Sequence, residues 1–176
     1  MKKTLMTAAI LATTALTSSV VAASDGQINF TGEIITAACS VTNTPSAPLT
    51  VALGKVSKGA FTGAGTTASP TTFQLELTSC PDTASSASVR FDGTSVTGDT
   101  SILALNAATG VATGVGIQIS DDAGAVVSLF QPSKTYTLAE APAVNKLGFV
   151  ARYIATATTI TAGPANSTAN FTINYN

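Results

Sequence analysis

Histidine and tryptophan are absent from this chain of 176 residues, and cysteine occurs only twice. Without histidine there is no imidazole to act as a general base, to complete a nucleophilic triad or to hold a metal. Cys39 and Cys80 are too far apart in the chain to read as a metal-binding pair. Charged residues make up only 10% of the chain. The basic residues beyond Lys3 are scattered singly, so no cationic patch of the kind nucleic acid requires is present. The one adjacent carboxylate pair, Asp121-Asp122, runs directly into Ala123-Gly124, which is turn chemistry rather than an acid–base pair. An enzyme, a metal site, a cofactor site and a nucleic-acid-binding protein are all excluded as expectations.

What is present begins with an export signature. Met1-Lys2-Lys3 is a short basic start, and Thr4 to Val21 is small, apolar and uncharged. Val21-Ala22-Ala23 places small residues before Ser24, so cleavage is expected between Ala23 and Ser24. A membrane anchor is the alternative. Thr7, Thr13, Thr14, Thr17, Ser18 and Ser19 interrupt the run and weaken that reading. No later apolar run is long enough to span a bilayer, so the mature protein is expected to be soluble or assembled. Removing residues 1–23 takes away Lys2 and Lys3 and leaves six basic against nine acidic side chains, a net charge of −3. The remainder is one domain of ordinary size, large enough for a real core. In an exported chain an even cysteine count reads as a disulfide, Cys39 to Cys80, with two buried thiols as the alternative.

The body is patterned for β-structure throughout. Alternating pieces run through Thr50–Gly54, Phe73–Leu77, Val89–Phe91, Ile102–Leu105, Val115–Ile119, Tyr136 with Leu138, and Leu147–Ile154. Turn signals separate them, among them Asp92-Gly93, Asp121-Asp122-Ala123-Gly124 and Gly163-Pro164. Short strands at this spacing predict an antiparallel sandwich. The Gly/Thr/Ala-rich stretches 93–100 and 106–116 read as loops with room for extra short strands. There is no internal repeat and no long amphipathic helix after residue 23.

The two ends of the mature chain carry the sharpest patterns. At the C-terminus Ala169, Phe171, Ile173 and Tyr175 share one face of a strand that runs to the last residue, with Asn170, Thr172, Asn174 and Asn176 on the other. Such an apolar edge must be covered, by this chain or by another. At the N-terminus Gly26, Ile28, Phe30, Gly32 and Ile34 share a face, and Gln27, Asn29, Thr31 and Glu33 oppose them. Gly32 weakens this strand as an ordinary sandwich member, but suits a strand that slides into a groove with one shallow point. The sequons at Asn166 and Asn170 fall in or near the last strand of a Thr/Asn-rich segment and read as chance.

Taken together, these residues resemble a chaperone–usher pilus subunit of the type 1 fimbrial kind. The resemblance covers the mature chain. It rests on the glycine-containing N-terminal extension, Ala37-Ala38-Cys39, Cys80 after Phe73–Leu77, Gly163 fourteenth from the end, and the penultimate aromatic Tyr175 with Phe171 and Ile173 alternating before it. The resemblance implies an all-β fold, an incomplete immunoglobulin-like β-sandwich completed by a donor strand from a neighbouring subunit. The organisation it implies is a signal peptide over 1–23, a donor-strand extension over 24–35 and a pilin domain over 36–176. It implies a structural role in a surface fimbria of a Gram-negative cell, supporting cell adhesion, with the major subunit expected. The implied partners are a periplasmic pilus chaperone, an outer-membrane usher and neighbouring pilin subunits in a head-to-tail filament. The implied functional residues are the donor face Gly26, Ile28, Phe30, Gly32 and Ile34, and the chaperone or groove strand Gly163, Ala169, Phe171, Ile173 and Tyr175. A minor adaptor pilin and a self-complemented secreted sandwich remain as alternatives. A two-domain tip adhesin is disfavoured, because the donor-like strand begins just after the cleavage site and leaves no room for a lectin domain.

Overall fold

The computed structural model describes residues 25–32, 34 and 38–176. Ala23, Ser24, Glu33 and Ala37 therefore lie outside the described residues, as does the expected cleavage site. The chain divides into two compact units, 1–34 and 35–176.

In the first unit, residues 25–32 and 34 carry no strand or helix. Gln27 Nε2 donates to Asn29 Oδ1 at 3.0 Å. Ile28, Phe30 and Ile34 are 77%, 92% and 97% exposed. Three large apolar side chains this open to water are the unusual feature of the segment.

The second unit is an antiparallel β-sandwich, with one turn of 3-10 helix at Lys58–Ala60. Its strands are β1 (Ser40–Val41), β2 (Thr67–Thr78), β3 (Ser86–Asp92), β4 (Ser95–Val96), β5 (Asp99–Leu103), β6 (Val115–Asp121), β7 (Tyr136–Thr137), β8 (Asn145–Ala155) and β9 (Asn170–Tyr175). One sheet has the order β1-β2-β8-β6-β5-β4 and the other β7-β3-β9. Period-2 patterning sends Leu75, Leu77, Leu147, Phe149, Ile117 and Ile119 of the first sheet inward against Ala87, Val89 and Phe91 of the second. The Phe91 ring meets Phe149 edge-on at 5.1 Å across the sheets. Phe73 stacks on Phe149, its cross-strand partner, at 5.6 Å.

The expected pieces at 73–77, 89–91, 115–119 and 147–154 lie within β2, β3, β6 and β8. The stretch 93–100 does hold short strands, β4 and the start of β5. The turn at Asp121–Gly124 is built as its residues suggest. Asp121 Oδ1 accepts from the backbone N–H of Ala123 and Ala125 at 3.0 and 2.8 Å, and Gly124 takes φ +89°. Cys39 and Cys80 form the disulfide, tying the residue before β1 to the end of β2.

One expected strand does not pair. Thr50–Gly54 keeps the alternation, with Val51 half-buried and Leu53 buried between exposed neighbours, yet it joins neither sheet. Its one hydrogen bond among the described residues is from Ser69 Oγ to the Leu53 carbonyl at 2.6 Å. Ser69 reaches it because β2 is bulged there: Pro70 has no N–H for the ladder, and Ser69 sits at φ +56°.

Candidate assembly site

β9 is the edge of its sheet and runs to the second-last residue. Ser86 and Asn176 exchange both backbone hydrogen bonds, at 3.1 and 2.9 Å. Antiparallel pairing alternates, so Asn174, Thr172 and Asn170 also turn their main-chain groups toward β3. The N–H and C=O groups of Phe171, Ile173 and Tyr175 therefore point away from β3, and among the described residues no strand receives them. The same three side chains face the core, yet they stay only half-buried, whereas Val89 and Phe91 opposite them are 0% and 3% exposed. One row of residues thus presents both an unfilled main-chain edge and an unfilled apolar face.

The stretch leading into β9 continues this wall. Ala165, Ser167 and Ala169 alternate in the same half-buried register. On one side Asn106 N–H donates to the Asn166 carbonyl (2.8 Å) and Ala112 N–H to the Pro164 carbonyl (2.9 Å), while Tyr153 Oη donates to the intervening Ala165 carbonyl (3.1 Å). Gly163 lies in this approach rather than on β9. A Cβ there would stand 2.1 Å from the Gly110 carbonyl oxygen and 2.7 Å from the Ala112 nitrogen. Both are backbone atoms that cannot swing aside. Gly163→Ala is therefore expected to destabilise the domain by about 1–3 kcal/mol through overpacking. A lowered guanidinium unfolding midpoint would show it, and a wild-type midpoint would contradict the close approach.

Opposite this wall lies the segment from Cys39 to Phe61. Tyr175 Oη donates to the Cys39 carbonyl at 3.4 Å, which joins the two walls at one end. Burial pushes the Tyr175 phenol above its usual range, so it stays a neutral donor. At the other end a cleft of about 440 Å³ separates Val56 and Phe61 from Gly163 and Ala165, with Val115 and Tyr153 at its back. Residues 39 to 56 and 165 to 175 therefore run antiparallel to each other, and the half-buried apolar side chains between the Tyr175 contact and the cleft mark a candidate channel. A strand laid in that channel is parallel to one wall and antiparallel to the other. From Ala165 to Tyr175 an extended chain covers roughly 33 Å, and from Gly26 to Ile34 about 27 Å. The two lengths match within a residue or two.

Sequence reasoning named β9 as the edge but missed Val51, Leu53, Val56 and Phe61 as the facing wall. The only signal available for them was the strand pattern at Thr50–Gly54, which reads locally as an ordinary ladder strand.

A two-sheet immunoglobulin-like sandwich with one strand's place left open is the class of pilin subunits. A family profile described as "Fimbrial protein" matches residues 28–176, and the chain belongs to that family. It is a fimbrial subunit of the chaperone–usher pilus type, and not an enzyme. It is 36% identical to Long polar fimbria protein A of Salmonella typhimurium, over 99% of this chain and 97% of the relative. It is 42% identical to the Type-1 fimbrial protein, C chain, of Escherichia coli, over 90% and 87%. Among solved structures it resembles a type I fimbria protein and antigen of Burkholderia pseudomallei (39% identity, TM-score 0.61, 84% of this chain and 96% of that one). It also resembles the P pilus rod subunit PapA (25% identity, TM-score 0.65, 80% and 100%).

Proposed function

We propose that this chain is the major structural subunit of a chaperone–usher surface fimbria, polymerising by donor-strand exchange and supporting adhesion of the cell. The observation that carries the reading is the row Phe171, Ile173 and Tyr175, whose side chains and main-chain groups both await a neighbour. In this reading residues 1–23 are removed at export, residues 24–35 are the donor extension and residues 36–176 are the acceptor domain. Gly26, Ile28, Phe30, Gly32 and Ile34 of one subunit enter the channel of the next. Ile28, Phe30 and Ile34 each contribute roughly 1.5–3 kcal/mol on full burial. Each new main-chain bond adds about 0.5–1.5 kcal/mol. Strand addition of this kind is a general mode of recognition for which chaperone–pilin complexes are a known example. One donor and one acceptor per subunit make a head-to-tail contact that does not close, and such a contact builds a filament. Before assembly a periplasmic chaperone strand fills the same channel, and the exchange takes place at an outer-membrane usher. The presence of both donor and acceptor in one domain supports a shaft or adaptor role over a terminator, and likeness to the rod subunit PapA favours the shaft.

Tyr175→Ser tests the acceptor side. It removes a half-buried ring and the bond to Cys39, so capture by the chaperone should weaken and periplasmic levels of the subunit should fall by proteolysis. Unchanged co-purification with the chaperone would count against the channel as the binding site.

A further inference from the structure

We propose that Lys55 and Lys58 form an electrostatic gate at the mouth of the cleft that steers the acidic N-terminal segment of an incoming second copy. The inference rests on the strand-exchange reading above and adds to it a recognition step. Among the described residues, three of the domain's other four cations are ion-paired, while Arg152 is half-buried in the sheet, bonds a neutral hydroxyl and keeps its buried Nε without a hydrogen-bond partner. Arg90 pairs with Asp92 at 3.3 Å, Lys146 with Glu76 at 3.7 Å, Lys134 with Asp122, and Arg152 donates to Ser120 Oγ. Lys55 and Lys58 are exposed, have no ion pair among the described residues, and both border the cleft that Val56, Phe61, Gly163 and Ala165 line. On the other side of the proposed contact, Asp25 precedes the apolar face Gly26–Ile34, Glu33 lies within that span on the opposite, polar face, and no basic residue lies between Ser24 and Gly54. Counting the α-ammonium group that cleavage leaves at Ser24, a segment of net charge −1 meets a rim of charge +2. The apolar contacts that hold the inserted strand are short-ranged and cannot guide its approach. Opposite charges act over about 10 Å at 0.1 M salt, and such complementarity raises association rates by roughly 10–1,000-fold. Its signature is a salt-dependent on-rate, with a much smaller effect on the final complex.

The test is the rate at which a fluorescent peptide of residues 24–36 is captured by the full mature subunit held by its chaperone, at about 20 mM and about 500 mM NaCl. Lys55→Glu with Lys58→Glu should slow capture by on the order of 10-fold at low salt and leave the high-salt rate nearly unchanged. A peptide carrying Asp25→Lys and Glu33→Lys should be slow on the wild-type subunit and regain the wild-type rate on the charge-reversed one. Lys55→Gln with Lys58→Gln provides a milder variant should the reversal lower the yield of complex, with an intermediate rate expected. Equal rates for all combinations, or slowing without rescue, would overturn the gate while leaving strand exchange intact. Failure of the wild-type peptide to be captured at either salt would instead overturn the exchange reading on which the gate depends.

Discussion

Deleting Asp25–Thr31 should abolish filament growth and leave a folded, chaperone-bound monomer. Both sheets are built within Ser40–Tyr175, and the core residues from Cys39 to Tyr153 lie in the same unit. The deleted stretch contributes no strand to either sheet, so the domain keeps its ladders, its Phe73–Phe91–Phe149 cluster and its disulfide. What is lost is Ile28 and Phe30, two of the three large apolar anchors of the donor face. Filament imaging and chaperone pull-down read assembly and folding separately. A truncated subunit that fails to accumulate with its chaperone would assign the segment to its own domain and refute strand exchange. Gly32→Leu probes the same contact with the segment intact. Among the described residues a Cβ at Gly32 meets nothing within 4 Å, so the effect is expected in a neighbour's channel. Overpacking there should cost about 1–3 kcal/mol and thin or shorten the filaments. Normal filaments from this variant would mean that the channel is not shallow at that point.

Replacing both cysteines by serine should cost the domain roughly 4 kcal/mol, which is the loop-closure entropy that a crosslink over 41 residues of separation removes from the unfolded chain. That is a large share of the 5–15 kcal/mol that holds an ordinary domain together. The loss falls on the assembly site as well as on the fold. Cys39 supplies the carbonyl that receives Tyr175 Oη, so freeing it loosens the end of the channel where the two walls meet. The double variant should unfold at a lower guanidinium concentration and yield less chaperone-bound subunit. An unchanged unfolding midpoint would contradict the crosslink's role. Thiol labelling of denatured, unreduced wild-type protein provides the direct control, and two reactive thiols would show that the bond does not form.

Much of the fold was legible because its signals are local. Alternation over Phe73–Leu77, Val115–Ile119 and Leu147–Ile154 reports a half-buried strand wherever its partners lie, since successive side chains must face opposite sides of a sheet. The Asp121–Gly124 turn is written in its own four residues, through a carboxylate that accepts two backbone bonds and a glycine at positive φ. The half-buried face of the last strand was equally plain, as was the disulfide once export was inferred. The bulge at Ser69-Pro70 was less so, because a proline near a strand's start says only that a ladder bond is missing there.

The rest depended on distant chain. Thr50–Gly54 has the composition of a strand, but a strand is completed by its neighbour, and among the described residues no neighbour pairs with it. Gly163 beside Pro164 reads as a turn. Its requirement for glycine comes instead from the backbone of Gly110–Ala112, some fifty residues earlier, which leaves no room for a Cβ. Lys55 and Lys58 are ordinary surface lysines in sequence, and only the approach of Gly163–Asn166 to Gly54–Phe61 makes them the rim of a cleft. The sequence by itself determined which faces are apolar and which segments are patterned for strands, because that alternation repeats every second residue, but not whether each such segment finds a ladder partner. Tertiary structure alone decided which edge stays open, since an open edge is defined by the strand that is not beside it.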